Sequence, residues 1–84
     1  MPVQLFPDDV TTEIAAYRRN VERLREERRW SHEALARRMG VSTALVINFE
    51  AHRTIGSLPT LIRFANALGV DIGELFKELP QNRF

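Results

Sequence analysis

Between Trp30 and Glu50 the chain carries two helix signatures with almost nothing between them. Ser31 opens the first, because its hydroxyl accepts from the orphan amides of a first helical turn. Trp30 before this cap and Leu35 four residues after it supply a hydrophobic staple. The helix runs to Met39, and Gly40 suits the left-handed residue that ends a helix. Ser42 caps the second helix, Val41 and Val46 repeat the staple, and the run continues through Glu50 to about His52. Two short helices separated by Gly40 and Val41 alone must cross at a steep angle. Such a crossing needs a small residue where the helices approach, a backbone free to take positive φ in the turn, and an apolar residue pointing back from the second helix. Ala36, Gly40 and Val46 meet these demands at the spacing Ala36-x3-Gly40-x5-Val46.

The rest of the chain reads as helices built around this pair. Residues 1–8 hold two prolines and no periodicity, so they predict an extended arm with Val3, Leu5 and Phe6 as its apolar residues. Helix 1 is expected to start between Asp8 and Thr12. Val10, Ile14, Tyr17, Val21 and Leu24 follow at steps of four and three, which puts one face on a core. Arg18, Arg19, Glu22, Arg23, Arg25, Glu26, Glu27, Arg28 and Arg29 fall on its other faces. After a loop over 53–57, Ser57 caps helix 4. Pro59 is tolerated in its first turn, Leu61, Ile62, Ala65 and Leu68 are its apolar positions, and Gly69 ends it. Asp71 and Glu74 have capping-box spacing, with Val70 and Leu75 as staple. Helix 5 then carries Leu75, Phe76 and Leu79 until Pro80 stops it. The expectation is an all-α, five-helix bundle with a central helix-turn-helix. The domain spans 9–79 and ends in a dimerisation helix, between an arm over 1–8 and a tail over 80–84.

Inventory removes most other classes. The absence of cysteine excludes disulfide scaffolds and thiolate chemistry. His32 and His52 have no second histidine at metal-ligand spacing, and no glycine-rich phosphate cradle is present. Neither an enzyme nor a metal or other cofactor is expected. The longest apolar run, Ala44 to Ile47, is too short to span a bilayer. The first ten residues lack a basic start and an apolar core. The chain therefore reads as soluble and cytoplasmic. A domain of 84 residues buries roughly two-thirds of the surface its unfolded chain exposes, so it is marginal alone and gains from dimerisation.

The run Trp30-Ser31-His32-Glu33-Ala34-Leu35-Ala36-Arg37-Arg38-Met39-Gly40-Val41-Ser42 resembles the Cro/CI-like, or XRE-type, helix-turn-helix regulators. The likeness extends through Val46, Phe49-Glu50, Arg53, Ser57-Leu58, Leu61, Ala65-Asn66-Ala67-Leu68-Gly69-Val70 and Glu74-Leu75-Phe76, covering roughly residues 17–79. It implies a lambda-repressor-like bundle that binds operator DNA as a homodimer. By position in that pattern, Arg25 pairs with Glu50 and ties the scaffold to the reading helix. His32 stands where glutamine is usual, at a phosphate contact. Thr43, Ala44, Ile47 and Asn48 fall at base-edge positions. Ser31, Arg37, Arg38 and Arg53 join His32 as phosphate candidates. The chain departs from the pattern at Ile47, His52 and Ala44, which replace a common serine or other polar residue, a common glycine and a frequent glutamine.

The outward face of the reading helix, Ala44, Ile47, Asn48 and Ala51, is therefore more apolar than most. Alanine and isoleucine pack on thymine methyls, and asparagine pairs with adenine. The alternative is a protein-interaction module of antitoxin or scaffold type, docking through the same face. Charge favours nucleic acid. Residues 18–53 hold nine arginines against five acids, whereas residues 1–17 hold three acids and no base. Many of those arginines sit three or four residues from a glutamate, which makes them surface pairs of little strength. Dimerisation is expected through Phe76 and Leu79, with Leu58 and Ile62 extending the patch. No ligand-sensing segment remains, so neither a small-molecule ligand nor a membrane is an expected partner. The resemblance is about equal to restriction–modification controllers, small phage repressors and antitoxin-type autorepressors.

Overall fold

In a computed structural model of the chain, residues 7–77 are described, with side chains from residue 12 onward. They form five helices: α1 (Pro7–Glu27), α2 (His32–Met39), α3 (Thr43–Glu50), α4 (Leu58–Leu68) and α5 (Ile72–Leu75). No strand occurs among the described residues. Helix α1 begins one residue earlier than expected, taking Pro7 and Asp8 from the arm. Proline fits there, since its fixed φ suits a helix and its missing N–H has no partner in a first turn. Val3, Leu5 and Phe6 lie outside the described residues, as do Leu79 and the tail over 80–84.

The core is built from one face of each helix. Tyr17 and Val21 of α1 meet Leu35, Ala36 and Met39 of α2, Val46 and Phe49 of α3, Leu61, Phe64, Ala65 and Leu68 of α4, and Leu75 of α5. Trp30, Val41 and Val70, the residues before the caps, are half-buried against this cluster. Tyr17, Phe49 and Phe64 make the aromatic centre, with Tyr17 edge-on to both other rings. The Tyr17 hydroxyl donates to the Leu61 carbonyl. Burial pushes its pKa up, so it stays a donor. On α4 the buried face is Leu61, Phe64, Ala65 and Leu68, an i, i+3, i+4, i+7 set that includes Phe64 and turns Ile62 outward.

Four helices end in the same way. The amide of the second or third residue past the helix reaches back five residues: Trp30 to Arg25, Val41 to Ala36, Arg53 to Asn48 and Val70 to Ala65. This Schellman closure requires a left-handed residue just before the donor. Gly40 and Gly69 fill that position at φ 73° and 75°, and Arg29 and His52 at 58° and 66°. A side chain in that region carries strain of about 1–2 kcal/mol. Part of that is returned because glycine has more unfolded-state entropy to lose. His52→Gly is therefore expected to raise the melting temperature, with a net gain below about 1 kcal/mol. A fall on thermal denaturation contradicts this account of the α3 terminus.

Helix α5 departs from its expected form. The Asp71 side chain makes no cap bond. The Glu74 amide that it was to receive bonds instead to the Asp71 backbone carbonyl at 2.9 Å. The helix ends at Leu75 rather than running to Pro80. Its continuation is blocked because the buried Asn20 amide donates to the Leu75 and Lys77 carbonyls, both at 2.8 Å. Phe76 follows as a half-buried ring whose centroid lies 4.9 Å from that of Tyr17. Leu75 and Phe76 therefore both reach the monomer core, which the expected division between inward Leu75 and outward Phe76 did not allow.

Candidate nucleic-acid interface

The reading helix α3 is fixed from inside. Ser42 Oγ accepts the Leu45 amide at 3.2 Å, setting the first turn. Val46 and Phe49 point inward and are fully buried. That orientation leaves Ala44, Ile47 and Ala51 exposed, with Thr43 and Asn48 half-buried at the edges of the face. The base-edge candidates therefore share one surface free of the core.

Glu50 joins three elements at the far end of α3. Its carboxylate accepts Arg25 Nε at 2.7 Å and a second guanidinium nitrogen at 3.0 Å, and His32 Nε2 lies 3.0 Å from Oε1. The Glu50 and Arg25 side chains are only 7% and 10% exposed, so this pair is largely shielded from solvent. The hydrogen bond to Glu50 is the main reason that the Arg25 pKa is raised. Arg25 also donates to the Trp30 carbonyl at 2.8 Å, which fixes the entry into α2. The expected Arg25–Glu50 pair is thus present, and His32 is joined to it.

At the start of α2, Ser31 is exposed and its Oγ accepts the Ala34 amide at 3.0 Å. Arg53, just past α3, is exposed and donates to Asn48 Oδ1 at 3.0 Å. That contact couples a phosphate candidate to a base-edge candidate. Arg37 and Arg38 sit together in the last turn of α2. Arg37 lies 3.7 Å from Glu33. Arg38 lies 4.0 Å above the Trp30 ring, a cation–π contact that gives it a packing role. Leu58 and Ile62 are exposed on α4, with Ile55 exposed in the preceding loop.

Three arginines have a function that the sequence reading missed. Arg18 donates to the Phe49 and Thr54 carbonyls, both at 2.9 Å. Arg28 donates to the Leu68 carbonyl at 2.7 Å. Arg63 donates to the Met39 carbonyl at 3.0 Å. Each guanidinium thus meets carbonyls at the C-terminal end of a helix other than its own, where unpaired acceptors and the helix dipole favour a cation. Arg18, expected on an outer face, is buried against the Phe49 ring, and burial lowers its pKa. It braces the end of α3 from beneath. Nothing local in the sequence marks these arginines, because their acceptors lie 24 to 40 residues away.

Among the described residues, no group of three or more His, Cys, Asp or Glu is placed to hold a metal ion. No described helix is long and apolar enough to cross a membrane. A family model described as a helix-turn-helix domain matches residues 16–79. No curated protein and no solved structure matches the chain. The α2–α3 pair, the glycine turn between them and the outward face of α3 all lie within that match: the chain belongs to the helix-turn-helix domain family.

Proposed function

We propose that the chain is a sequence-specific regulator of transcription that binds double-stranded DNA as a homodimer on a palindromic operator. It acts in the cytoplasm without catalysis, cofactor or small-molecule ligand. The observation that carries this reading is the clear outward face of α3, backed by the Arg25–Glu50 pair that holds the helix in place. Ala44 and Ile47 offer methyl groups to thymine, Asn48 offers an amide to adenine, and Thr43 offers a hydroxyl. Ser31, His32, Arg37, Arg38 and Arg53 supply the phosphate contacts, and Leu58, Ile62 and Leu79 the dimer contacts. Selection of bound duplexes from random-sequence DNA tests the whole reading. An inverted repeat is the expected result, and recovery of unrelated sequences contradicts it.

The second reading is a protein-interaction module, favoured by the exposure of Ile47 on α3. Salt separates the two. Neutralising phosphates releases counterions, so affinity for DNA falls steeply as salt rises. Docking through Ile47 and Ala44 lacks that dependence.

Asn48→Ala is expected to relax preference at one base pair of each half-site, costing on the order of 1–3 kcal/mol. Arg53→Ala is expected to weaken binding to all sequences about equally and to reduce the salt slope by about one. Because Arg53 donates to the Asn48 side-chain Oδ1, the two effects should not add in the double variant. Equal losses for Asn48→Ala on cognate and random duplexes contradict its place at a base edge.

A further inference from the structure

The contact between His32 and Glu50 decides what His32 can offer a phosphate. A carboxylate only accepts, so the 3.0 Å approach of His32 Nε2 to Glu50 Oε1 places the ring proton on Nε2. In the neutral imidazole the other nitrogen, Nδ1, is then a bare acceptor. A phosphate oxygen is also an acceptor, so the neutral ring has nothing to give it. Only the imidazolium can donate Nε2–H to Glu50 and Nδ1–H to phosphate together. The ring is 38% exposed, so a phosphate can reach it at the opening of α2, while Glu50 is shielded.

The acidic charges around the ring are already shared with arginines. Glu50 of α3 faces it, but that carboxylate is already held by both arms of the Arg25 guanidinium from α1. Glu26 of α1 lies 3.7 Å from Arg25, and the neighbouring Glu33 of α2 lies 3.7 Å from Arg37. The N-terminal end of α2 carries partial positive charge, which opposes a cation there. A DNA phosphate adds an unpaired negative charge at that end. We propose that His32 makes its phosphate contact as imidazolium, so that DNA binding takes up a proton from solvent at each protomer. Glutamine, usual at this position in the proteins the chain resembles, donates at any pH. Histidine makes the same contact conditional on pH.

This inference rests on the DNA-binding reading and deepens it. Proton uptake on binding makes affinity rise as pH falls, by at most about tenfold per pH unit for each His32. The contact is to phosphate, so a short random-sequence duplex serves as the probe.

Titration calorimetry between about pH 6 and 8, where imidazoles titrate, reads the uptake directly. Measurements at one pH in two buffers of different ionisation enthalpy give the protons taken up. The expected result is net uptake that disappears in His32→Gln, which should bind with affinity nearly independent of pH. His52→Gln, at the other histidine, should leave the uptake in place. Binding by the parent protein without uptake, or uptake that survives His32→Gln, overturns the proposal and leaves the DNA reading standing. No binding to any duplex at any pH overturns both.

Discussion

Glu50→Ala is expected to bring the domain close to unfolding at ambient temperature. The substitution leaves the Arg25 guanidinium, 10% exposed, without its bidentate partner. Removing one member of a buried ion pair costs about 3–5 kcal/mol, because the charge left behind is desolvated without its close partner; Glu26, 3.7 Å away and 61% exposed, is a weak replacement. Small domains have about 5–15 kcal/mol of total stability, and one of this size sits near the low end. The melting temperature should fall by at least about 12 °C. Replacing both partners, Arg25→Met with Glu50→Met, should recover most of the loss, since an apolar pair has no charge to desolvate. Such a double variant separates the cost of an orphaned charge from the value of the pair. A Glu50→Ala melt within a few degrees of the parent contradicts the shielding that the geometry shows.

The parts of the fold legible in the sequence are those in which a residue acts on its own neighbourhood. Ser31, Ser42 and Ser57 each accept an amide three residues on, and each marked its helix start correctly. Gly40 and Gly69 marked two helix ends because glycine takes positive φ without steric cost. The ends at Arg29 and His52 use the same hydrogen bonds without glycine, so composition gave no sign of them. The sequence therefore predicts α3 to about His52, whereas the helix ends at Glu50. Helix α5 departs from its expected form for a different reason. Its spacing favoured a capping box and a longer run, but the deciding partner, Asn20, sits 55 residues before Leu75. Local propensity could not anticipate a side chain arriving from α1.

The basic excess illustrates the same limit at the candidate site. Nine arginines over residues 18–53 read as a nucleic-acid footprint or as solvated pairs. Arg18, Arg25 and Arg28 instead hold backbone or carboxylate partners within the bundle. Arg38 covers Trp30. The charge left for phosphates is therefore smaller than the count. Family position singles out His32, Asn48 and Arg53 one by one, and Arg25 with Glu50 as a pair. Their pairing, His32 with Glu50 and Arg53 with Asn48, appears only once α2, α3 and the residues that follow are folded together.

Leu58→Asp with Ile62→Asp is expected to give a folded monomer whose operator affinity falls by on the order of a thousandfold, towards its non-specific level. A monomer presents one reading helix to a few base pairs. Specific binding at physiological salt then requires two such helices held about 34 Å apart on one side of a two-fold axis. Leu58 and Ile62 are four residues apart on α4, which puts them on one face. They are 64% and 42% exposed, and Ile55 in the preceding loop is 57% exposed. These are three of the four exposed large apolar side chains among the described residues, Ile47 of α3 being the fourth, and a second copy is the partner that would cover them in the proposed dimer. Aspartate at either position faces solvent in the monomer, so the fold should tolerate both changes. Phe76 is a poorer place to test the interface, because its ring packs on Tyr17 and a charge there would disturb the core. Sedimentation at micromolar concentration, with a thermal melt as control, decides the matter. A double variant that melts like the parent and stays dimeric places the two-fold axis elsewhere, with Val3, Leu5 and Phe6 as the next residues to change.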